Sequence, residues 1–537
     1  MKTQNNLLAS ILLTAGIISS PIISFAADSK ELEDLRAQIE ELKQSIKVID
    51  RKGEIVAEEA AAKKKETPVV KASEKGFGLQ SADGQHEIKF RGLIQADGRV
   101  FAEGKDVTVK GASGASTAGY LDNTQDNNNT FLLRRIRPTI EGTVFGNYDF
   151  RFTPEFGDGK SQVIDAYIDA RLAPSFNIRA GKFKPIVGLE RLQSGADIKF
   201  IERSYVSSIL PNRDVGISAY GDFLDKKISY AVGVYNGVVD GGDNTTSNDI
   251  NGNKDVAVRI FTSPFKDNIS PFQNLSFGLA TTWGDVTAKT VDSVNGSVTE
   301  LTSGYKTQGQ STFFSYIDSK VLRTGPTSSN NSPGAEWLVH SNGTRLRISP
   351  QASYYYGPFG LITEYVRETQ DIALGANNTN ATKLHNDAWQ IAASYLLTGE
   401  DASFKGVKPK RNFDLNNGGW GAWEITARYD QFDIDNNAFS YGAVPGATAN
   451  NPHWLYADPR TSASKARTIT AGINWYLNPE AKFSLNYAQT SFDGGGGDLK
   501  PFDGTIYSNE IQASSAAFPI TDRKDEKVLL GRFQIAF

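Results

Sequence analysis

The C-terminal stretch, residues 527–537, alternates strictly between two kinds of side chain. One parity is apolar and ends on the aromatic Phe537, whereas the other parity carries Arg532 and Gln534. A strand of about 10 residues with one apolar and one polar face is the repeating unit of a transmembrane β-barrel. On this stretch alone, a half-buried strand of a soluble sandwich remains the alternative.

The same period of two continues from residue 86 to the C terminus and predicts sixteen strands, an even number, as in bacterial single-chain barrels. The predicted strands are 86–100, 131–145, 148–156, 163–172, 176–184, 214–223, 227–236, 255–262, 274–283, 343–356, 359–367, 387–397, 420–432, 467–477, 482–491 and 527–537. Short connections alternate with mostly long ones, several of which are rich in Asn, Asp, Gly and Ser. Two connections, 263–273 and 398–419, are long although they stand where short ones are expected. This sorting predicts an all-β fold, a 16-stranded antiparallel transmembrane β-barrel with inward-folded loops.

The first 26 residues have the pattern of a secretory signal peptide. Lys2 precedes an apolar segment, and a small-residue cleavage site follows at Ser24 to Ala26. A membrane anchor is the alternative. It is disfavoured because the apolar run is shorter than the ~20 residues of a spanning helix.

Residues 27–65 change to a helical period. Apolar residues three and four apart occupy heptad positions a and d: Leu32, Leu35, Ile39, Leu42, Ile46 and Ile49. Such a helix has no core of its own to pack against, so we predict a short self-associating coiled coil in the periplasm. A single helix lying on the barrel is the alternative. We expect residues 66–85 to form a linker and 86–537 to form the barrel.

Within each predicted strand, parity assigns side chains to lipid or lumen. In strand 131–145, Ile136 and Ile140 face lipid, which places Arg135 and Arg137 inside. The same rule places further arginines inside: Arg91, Arg151, Arg171, Arg179, Arg259, Arg345, Arg347, Arg428 and Arg532. Carboxylates share this wall: Asp97, Glu141, Glu155, Asp165, Asp169, Asp222, Glu424 and Asp430. Each charge alone fits an ordinary ion-paired lumen equally well, because a wet lumen tolerates charge. The predominance of Arg favours anion binding, since a guanidinium matches oxyanions and basic rings select anions.

A barrel of sixteen strands is wide enough for an aqueous channel, so selectivity requires a narrowing element. The third long connection, residues 185–213, is too apolar for a loop in solvent and is expected to fold into the barrel. It would bring four cations to the constriction, with Glu190, Asp197 and Glu202 beside them: Arg191, Lys199, Arg203 and Arg213. The fifth connection has an apolar island at 313–316, and its inward folding would bring Lys306 with it.

Composition narrows the alternatives. The chain has no cysteine, which suits a protein that folds through the periplasm. A mean hydropathy of −0.37 agrees with a barrel, because lipid-facing residues alternate with polar ones. The formal net charge of −4 does not indicate a nucleic-acid partner.

Seven stretches resemble the phosphate-selective porin O and P family: FLLRRIR (131–137), AGKFKP (180–185), NRDVGI (212–217), SYYYGPFG (353–360), SYLLTGE (394–400), WEITARY (423–429) and GINWYLNP (472–479). The aromatic C terminus also resembles the assembly signal of bacterial outer-membrane proteins. The family resemblance covers the whole barrel. It implies a trimeric outer-membrane channel in which arginines lead phosphate-like anions to a lysine-lined constriction. Arg135, Arg137 and Arg213 lie in matching stretches, whereas the third loop has only four cations against three carboxylates.

An enzyme is not expected, because the chain contains neither a G-x-S-x-G nor an H-E-x-x-H motif. The loop 243–255 offers oxygen ligands for Ca²⁺, but its glycine has the wrong offset for an EF-hand, so a solvated loop is favoured.

We therefore predict an outer-membrane porin for passive diffusion of small anions, phosphate or related oxyanions. The alternatives are a weakly selective or cation-preferring porin, and a structural or adhesive outer-membrane protein. The expected partners are small inorganic anions, outer-membrane lipid and further copies in a homotrimer; no cofactor, metal or nucleic acid is expected. The expected anion-binding residues are Arg91, Arg135, Arg137, Arg151, Arg179, Arg191, Lys199, Arg203, Arg213, Lys306, Arg345 and Arg347.

Overall fold

The computed structural model describes residues 29–73, 76–103, 129–243, 252–287, 291–292, 297–298, 304–316, 339–374, 378–442, 453–459, 461–496 and 520–537. The expected signal peptide lies outside these residues. The chain divides into two compact units, 1–67 and 68–537. The first contains helix α1 (Ser29–Glu66). On its described part, the heptad side chains from Leu35 to Ile49 are exposed.

The second unit contains a closed antiparallel barrel. Sixteen strands form its wall within the described residues: β1 (Glu87–Glu103), β2 (Thr130–Val144), β3 (Tyr148–Glu155), β4 (Gln162–Ala173), β5 (Phe176–Phe183), β6 (Asp214–Phe223), β7 (Ile228–Tyr235), β8 (Asp255–Thr262), β9 (Ser276–Asp285), β10 (Val339–Tyr356), β11 (Phe359–Leu374), β12 (Thr379–Leu396), β13 (Ala422–Asp433), β14 (Ala463–Tyr476), β15 (Ala481–Gly494) and β16 (Glu526–Ala536). Each strand pairs with the next, and β16 pairs with β1 to close the barrel. The predicted sixteen-stranded all-β barrel is confirmed.

Smaller elements lie in the connections. Two short helices occur in the third external connection: α2 (Leu189–Leu192) and α3 (Val206–Ile209). The remaining described elements are a 3₁₀ turn (Asn436–Phe439) and the strand pairs Val291–Asp292 with Ser297–Val298, Tyr305–Lys306 with Thr312–Phe314, and Tyr441–Gly442 with His453–Trp454. No helix in the described ranges is long and apolar enough to cross a membrane.

The alternation of side chains along the strands agrees with the predicted faces. On β16, Phe533 and Ile535 are about half exposed on the outer face, whereas Arg532 and Gln534 are buried inside. Strand β11 extends to Leu374, seven residues beyond the predicted end at 367. Beyond 367 the outward positions Thr369 and Asp371 are polar, as are the inward positions Glu368 and Gln370, so the alternation of apolar and polar residues that marks a strand ends there.

A hairpin precedes the barrel, within the segment expected to be a linker. Its strands are Val69–Ser73 and Gly76–Gln80, and the second pairs with residues 87–90 of β1. This edge of β1 is free because β16 pairs with β1 only from Leu93 onward. Phe537 exchanges two backbone hydrogen bonds with Gly92. A Cβ at Gly92 would lie 2.4 Å from the Phe537 ring, so glycine is required for this close approach.

Loops fill one side of the barrel interior with an apolar core. Tyr205 and Val206 from the third external connection pack there with Phe313 and Phe314 from the fifth, against Phe432 of β13. These four loop residues are at most 1% exposed. Both loops therefore fold inward, as their apolar content predicted.

Candidate functional site

The third external connection, residues 184–213, is called loop 3 here, and it is fixed in the lumen by its own backbone. Side chains of the barrel wall donate hydrogen bonds to a run of its carbonyl oxygens. The donors and their acceptors are Gln95 to Gly195, Gln534 to Ala196, Lys482 to Ile198, Asn474 to Lys199, Arg532 to Ile201 and Arg428 to Glu202. The donors lie on β13 to β16 and β1, so loop 3 runs along the wall across the seam where the barrel closes. A loop with so many satisfied carbonyls keeps one position.

Carboxylates hold loop 3 at three further points. The carboxylate of Glu364 on β11 accepts hydrogen bonds from the backbone N–H groups of Leu189 and Glu190 at the start of α2. Asp430 accepts one from the Tyr205 N–H. Glu202 of loop 3 itself binds Arg134 Nε at 3.0 Å and Arg99 at 3.1 Å.

The ionisation of Glu202 depends on these guanidiniums. Burial opposes its ionisation, but Arg134 and Arg99 outweigh burial and hold the pKa of Glu202 well below its usual range. The carboxylate is therefore charged at neutral pH and is compensated by two guanidiniums.

An open cavity of about 310 Å³ lies on the other side of loop 3, toward β2 and β4. It is bounded by these strands, loop 3, and the external connections that contain Asp158, Asp240 and Tyr305. Nine basic side chains line it: Arg134, Arg135, Arg137, Lys160, Lys184, Arg191, Arg203, Arg213 and Lys306. Five carboxylates line it: Glu155, Asp158, Glu202, Asp240 and Asp243. The cavity is therefore predominantly basic.

Three of the five carboxylates are strongly engaged. Glu155 binds Arg137 at 2.5 Å, Glu202 binds Arg134, and Asp240 binds Arg347 at 2.5 Å. Asp240 also accepts a hydrogen bond from the Tyr305 hydroxyl. Burial disfavours ionised Asp240, but Arg347, a hydrogen bond with Glu368 and Arg345 together outweigh burial and lower the pKa of Asp240. These carboxylates attract little additional positive charge, because each already has a cationic partner.

Five lining basic side chains have no carboxylate within 4.0 Å among the described residues: Arg135, Lys184, Arg191, Arg203 and Lys306. Arg135 donates to the side-chain oxygen of Gln95 at 2.6 Å. Arg203 donates to the carbonyls of Glu190 and Gln193, and Arg191 to those of Ser207 and Leu210. A carbonyl satisfies an N–H group but carries no net charge, so no direct ion pair compensates these positive charges, and they are called uncompensated in this sense.

Burial changes the pKa of the cations in loop 3. Burial lowers the pKa of Arg191 to about 10 and that of Arg203 to about 9, so both remain charged at neutral pH. Lys184 donates to the carbonyls of Arg191 and Gln193 at 2.8 Å. Its pKa is lowered well below the usual value by burial and by the neighbouring Arg203. Burial thus disfavours the charged form of Lys184, which leaves the other four as the lining cations without an ion pair among the described residues: Arg135, Arg191, Arg203 and Lys306.

The structure brings together half of the predicted site residues. The cavity contains Arg135, Arg137, Arg191, Arg203, Arg213 and Lys306. The other six lie elsewhere in ion pairs: Arg91 and Arg151 with Glu141, Arg179 with Asp169, Lys199 with Glu424, Arg345 with Asp255, and Arg347 with Asp240. Lys199, expected at the constriction, lies beneath Tyr476, with its Nζ 5.9 Å from the ring centroid.

Three basic lining residues were not among the predicted set: Arg134, Lys160 and Lys184. Strict alternation points Arg134 at lipid, but a β-bulge interrupts the pairing of β1 with β2 between Gln95 and Ala96. The bulge leaves Arg134 unpaired and turns it inward beside Arg135. The signal was present in the sequence, because two adjacent arginines would otherwise place one in lipid at roughly 2–4 kcal/mol.

The comparisons with known proteins agree with this architecture. The family model for phosphate-selective porin O and P matches residues 115–496 of this chain. The chain belongs to this family. As a family member with a closed barrel it is a porin of the bacterial outer membrane, and family and fold are those of channel proteins.

Individual relatives are more distant. The porin is 26% identical to Porin O of Pseudomonas aeruginosa over 150 residues. That match covers 27% of this chain and 29% of the length of the relative. Among solved structures it is similar to the outer membrane channel DcaP of Acinetobacter baumannii, with a TM-score of 0.46 and 10% identity over 86% of this chain and 99% of that one. For OmpT of Vibrio cholerae the TM-score is 0.43, with 10% identity over 84% and 98% of the two chains.

Proposed function

We propose that this porin conducts small anions, phosphate or related oxyanions, by passive diffusion through the cavity beside loop 3. The observation that carries the proposal is the set of uncompensated cations in that cavity, Arg135, Arg191, Arg203 and Lys306. The function implied by the family resemblance agrees with these charges.

The effect of these charges on ions is electrostatic. A low-dielectric wall focuses the field of charges that line a cleft and raises the local concentration of the opposite ion. Because the lining guanidiniums are held to carbonyls or to Gln95, they keep their positions without losing their charge. The entering anion therefore meets preorganised donors.

The chemistry of the lining suits an oxyanion. A guanidinium offers parallel N–H donors that match two oxygens of a phosphate or carboxylate. Hydroxyl and amide groups of Ser208, Asn212, Thr307 and Gln310 line the same cavity. Conduction also requires binding that is weak enough for release. Two lining carboxylates would weaken anion binding by repulsion. They are Asp158, whose nearest guanidinium contact is Arg134 at 3.7 Å, and Asp243.

Phosphate block of the chloride current tests the proposal. The purified porin in a planar bilayer is titrated with phosphate, and Arg135→Gln is compared with the control Lys383→Gln. Lys383 is an exposed lysine, paired with Asp371 at 3.5 Å, that does not line the cavity. We expect saturable block in the parent and in the control, and block at several-fold higher phosphate in Arg135→Gln. A chloride current that phosphate does not reduce would contradict the proposal.

We propose further that the first 26 residues are a signal peptide and that α1 lies in the periplasm, where it joins copies of the porin, expected to be three. The exposed heptad side chains support this role. Leu42 is 61% exposed and Ile49 is 67% exposed, so the stripe is accessible to a second helix that would bury its apolar surface.

A further inference from the structure

Two neighbouring connections on the periplasmic side are joined to each other. One is the turn at 224–227 between β6 and β7, and the other is the long connection 263–275 between β8 and β9. The Ser263 N–H donates to the Lys227 carbonyl at 2.8 Å, and Lys227 Nζ lies 2.6 Å from an Asp267 carboxylate oxygen. Lys266 also donates to the Asp225 carbonyl. The two connections therefore form one small platform at the rim of the barrel.

This platform exposes apolar side chains. Leu224 is 68% exposed, Phe272 59% and Ile269 102%, and the rings of Phe265 and Phe272 lie 6.5 Å apart. These four residues are called the rim patch. The other long periplasmic connection buries Ala402 and Val407 against the barrel, and its exposed Leu415 has no exposed apolar side chain directly beside it in the chain. An exposed group of large apolar residues marks an interaction surface.

The rim patch continues the lipid-facing surface of the barrel. Phe223 ends the outward row of β6, and Phe277 begins the outward row of β9. Phe223 stacks on Tyr230 of β7 at 5.3 Å, as in the aromatic belts that mark membrane interfaces. Leu224 directly follows Phe223 in the chain. The apolar surface of the barrel thus extends past its aromatic belt onto the platform.

We propose that the rim patch inserts into the periplasmic leaflet of the outer membrane, with phospholipid as its occupant. Apolar side chains of such interfacial elements enter the boundary between head groups and acyl chains by roughly 5–10 Å. Lys226 is exposed in the same platform, and a lysine at this depth extends its ammonium group to the lipid phosphates. The platform anchors β6 to β9 in the membrane, and this role is independent of anion selectivity.

Site-directed spin labelling tests the insertion, and the absence of native cysteine makes single-cysteine variants direct. Ile269→Cys and Leu224→Cys are labelled in the full chain and reconstituted in vesicles of phosphatidylethanolamine and phosphatidylglycerol. The control is Asn416→Cys, at an exposed position of the other long periplasmic connection. Channel conductance verifies folding of each variant.

We expect the labels at 269 and 224 to collide more often with oxygen than with a water-soluble nickel chelate. The label at 416 should show the reverse order. Nickel accessibility at 269 and 224 equal to that at 416 would overturn the proposal. Dipolar broadening between labels at 269 would overturn it as well, because the occupant would then be a second copy of the chain.

Discussion

Arg532 of the last strand binds Asp97 of the first strand through two hydrogen bonds of 2.7 Å, and both side chains are almost fully buried. The third nitrogen of the Arg532 guanidinium, Nη1, donates to the Ile201 carbonyl of loop 3 at 2.8 Å. One guanidinium thus joins the seam of the barrel to the loop that narrows it. The contact between loop 3 and Arg532 therefore depends on the pairing of the first and last strands.

Removal of this link should destabilise the porin. Arg532→Gln leaves Asp97 buried without its cation, and loss of one partner of a buried pair costs about 3–5 kcal/mol. We expect Arg532→Gln to unfold at a lower temperature in a gel-shift assay and to show noisier single-channel current, because loop 3 loses a donor. The double variant Asp97→Asn with Arg532→Gln should recover much of the stability. Equal losses in the two variants would exclude the charge-pair explanation.

The role of Arg203 can be separated into charge and hydrogen bonding. Arg203→Lys keeps the positive charge but cannot reproduce the donor fork to the Glu190 and Gln193 carbonyls. We expect this variant to retain the anion preference while its open-channel noise increases. Arg203→Gln should lose part of the preference. If the lysine variant loses as much anion selectivity as the glutamine variant, the hydrogen bonds of Arg203 and not its charge determine selectivity.

Asp243 should act in the opposite direction. It lines the cavity, and no cationic nitrogen lies within 4.0 Å of it among the described residues, so its charge is available to oppose anions. Asp243→Asn is expected to raise the anion preference and to lower the phosphate concentration at half block by several-fold. Asp267→Asn, whose carboxylate pairs with Lys227 on the periplasmic side, is the matched control. Unchanged block in Asp243→Asn would show that this carboxylate is remote from the ion path.

The heptad stripe of α1 predicts an effect on assembly alone. Substitution of Leu42 and Ile46 by Asn places polar groups at d and a positions, which weakens a coiled coil. Multimers of this variant should dissociate in detergent at a lower temperature than those of the parent, whereas its single-channel conductance should not change. Identical dissociation temperatures would indicate that α1 does not hold the copies together.

The sequence was sufficient for the barrel because lipid and lumen impose a period of two on every strand. All sixteen predicted strands correspond to observed ones, and β6 and β8 have the predicted bounds. The apolar content of residues 185–213 was likewise sufficient to predict an inward fold. Both predictions depend only on where apolar surface can be buried.

The ion path could be predicted only in part, because compensation of a charge depends on residues far apart in the chain. Arg347 lies in the lumen as parity predicts, but its partners Asp240 and Glu368 come from a loop and from the next strand. Strict parity would point Arg134 at lipid, but a bulge shifts the alternation by one residue and turns it into the lumen. Neither pairing nor bulge is visible in a single strand read alone.

The most direct test of the central claim is the reversal potential of the purified porin in a planar bilayer under a KCl gradient. The four uncompensated cations of the cavity predict a reversal potential with the sign of an anion-selective channel. They also predict that neutralisation of Arg135 and Lys306 together, by Arg135→Gln and Lys306→Gln, moves it toward zero. Each lost charge should change the free energy of an anion in the cavity by on the order of 1 kcal/mol. A cation-side potential in the parent, or one that the double substitution does not move, would contradict the account.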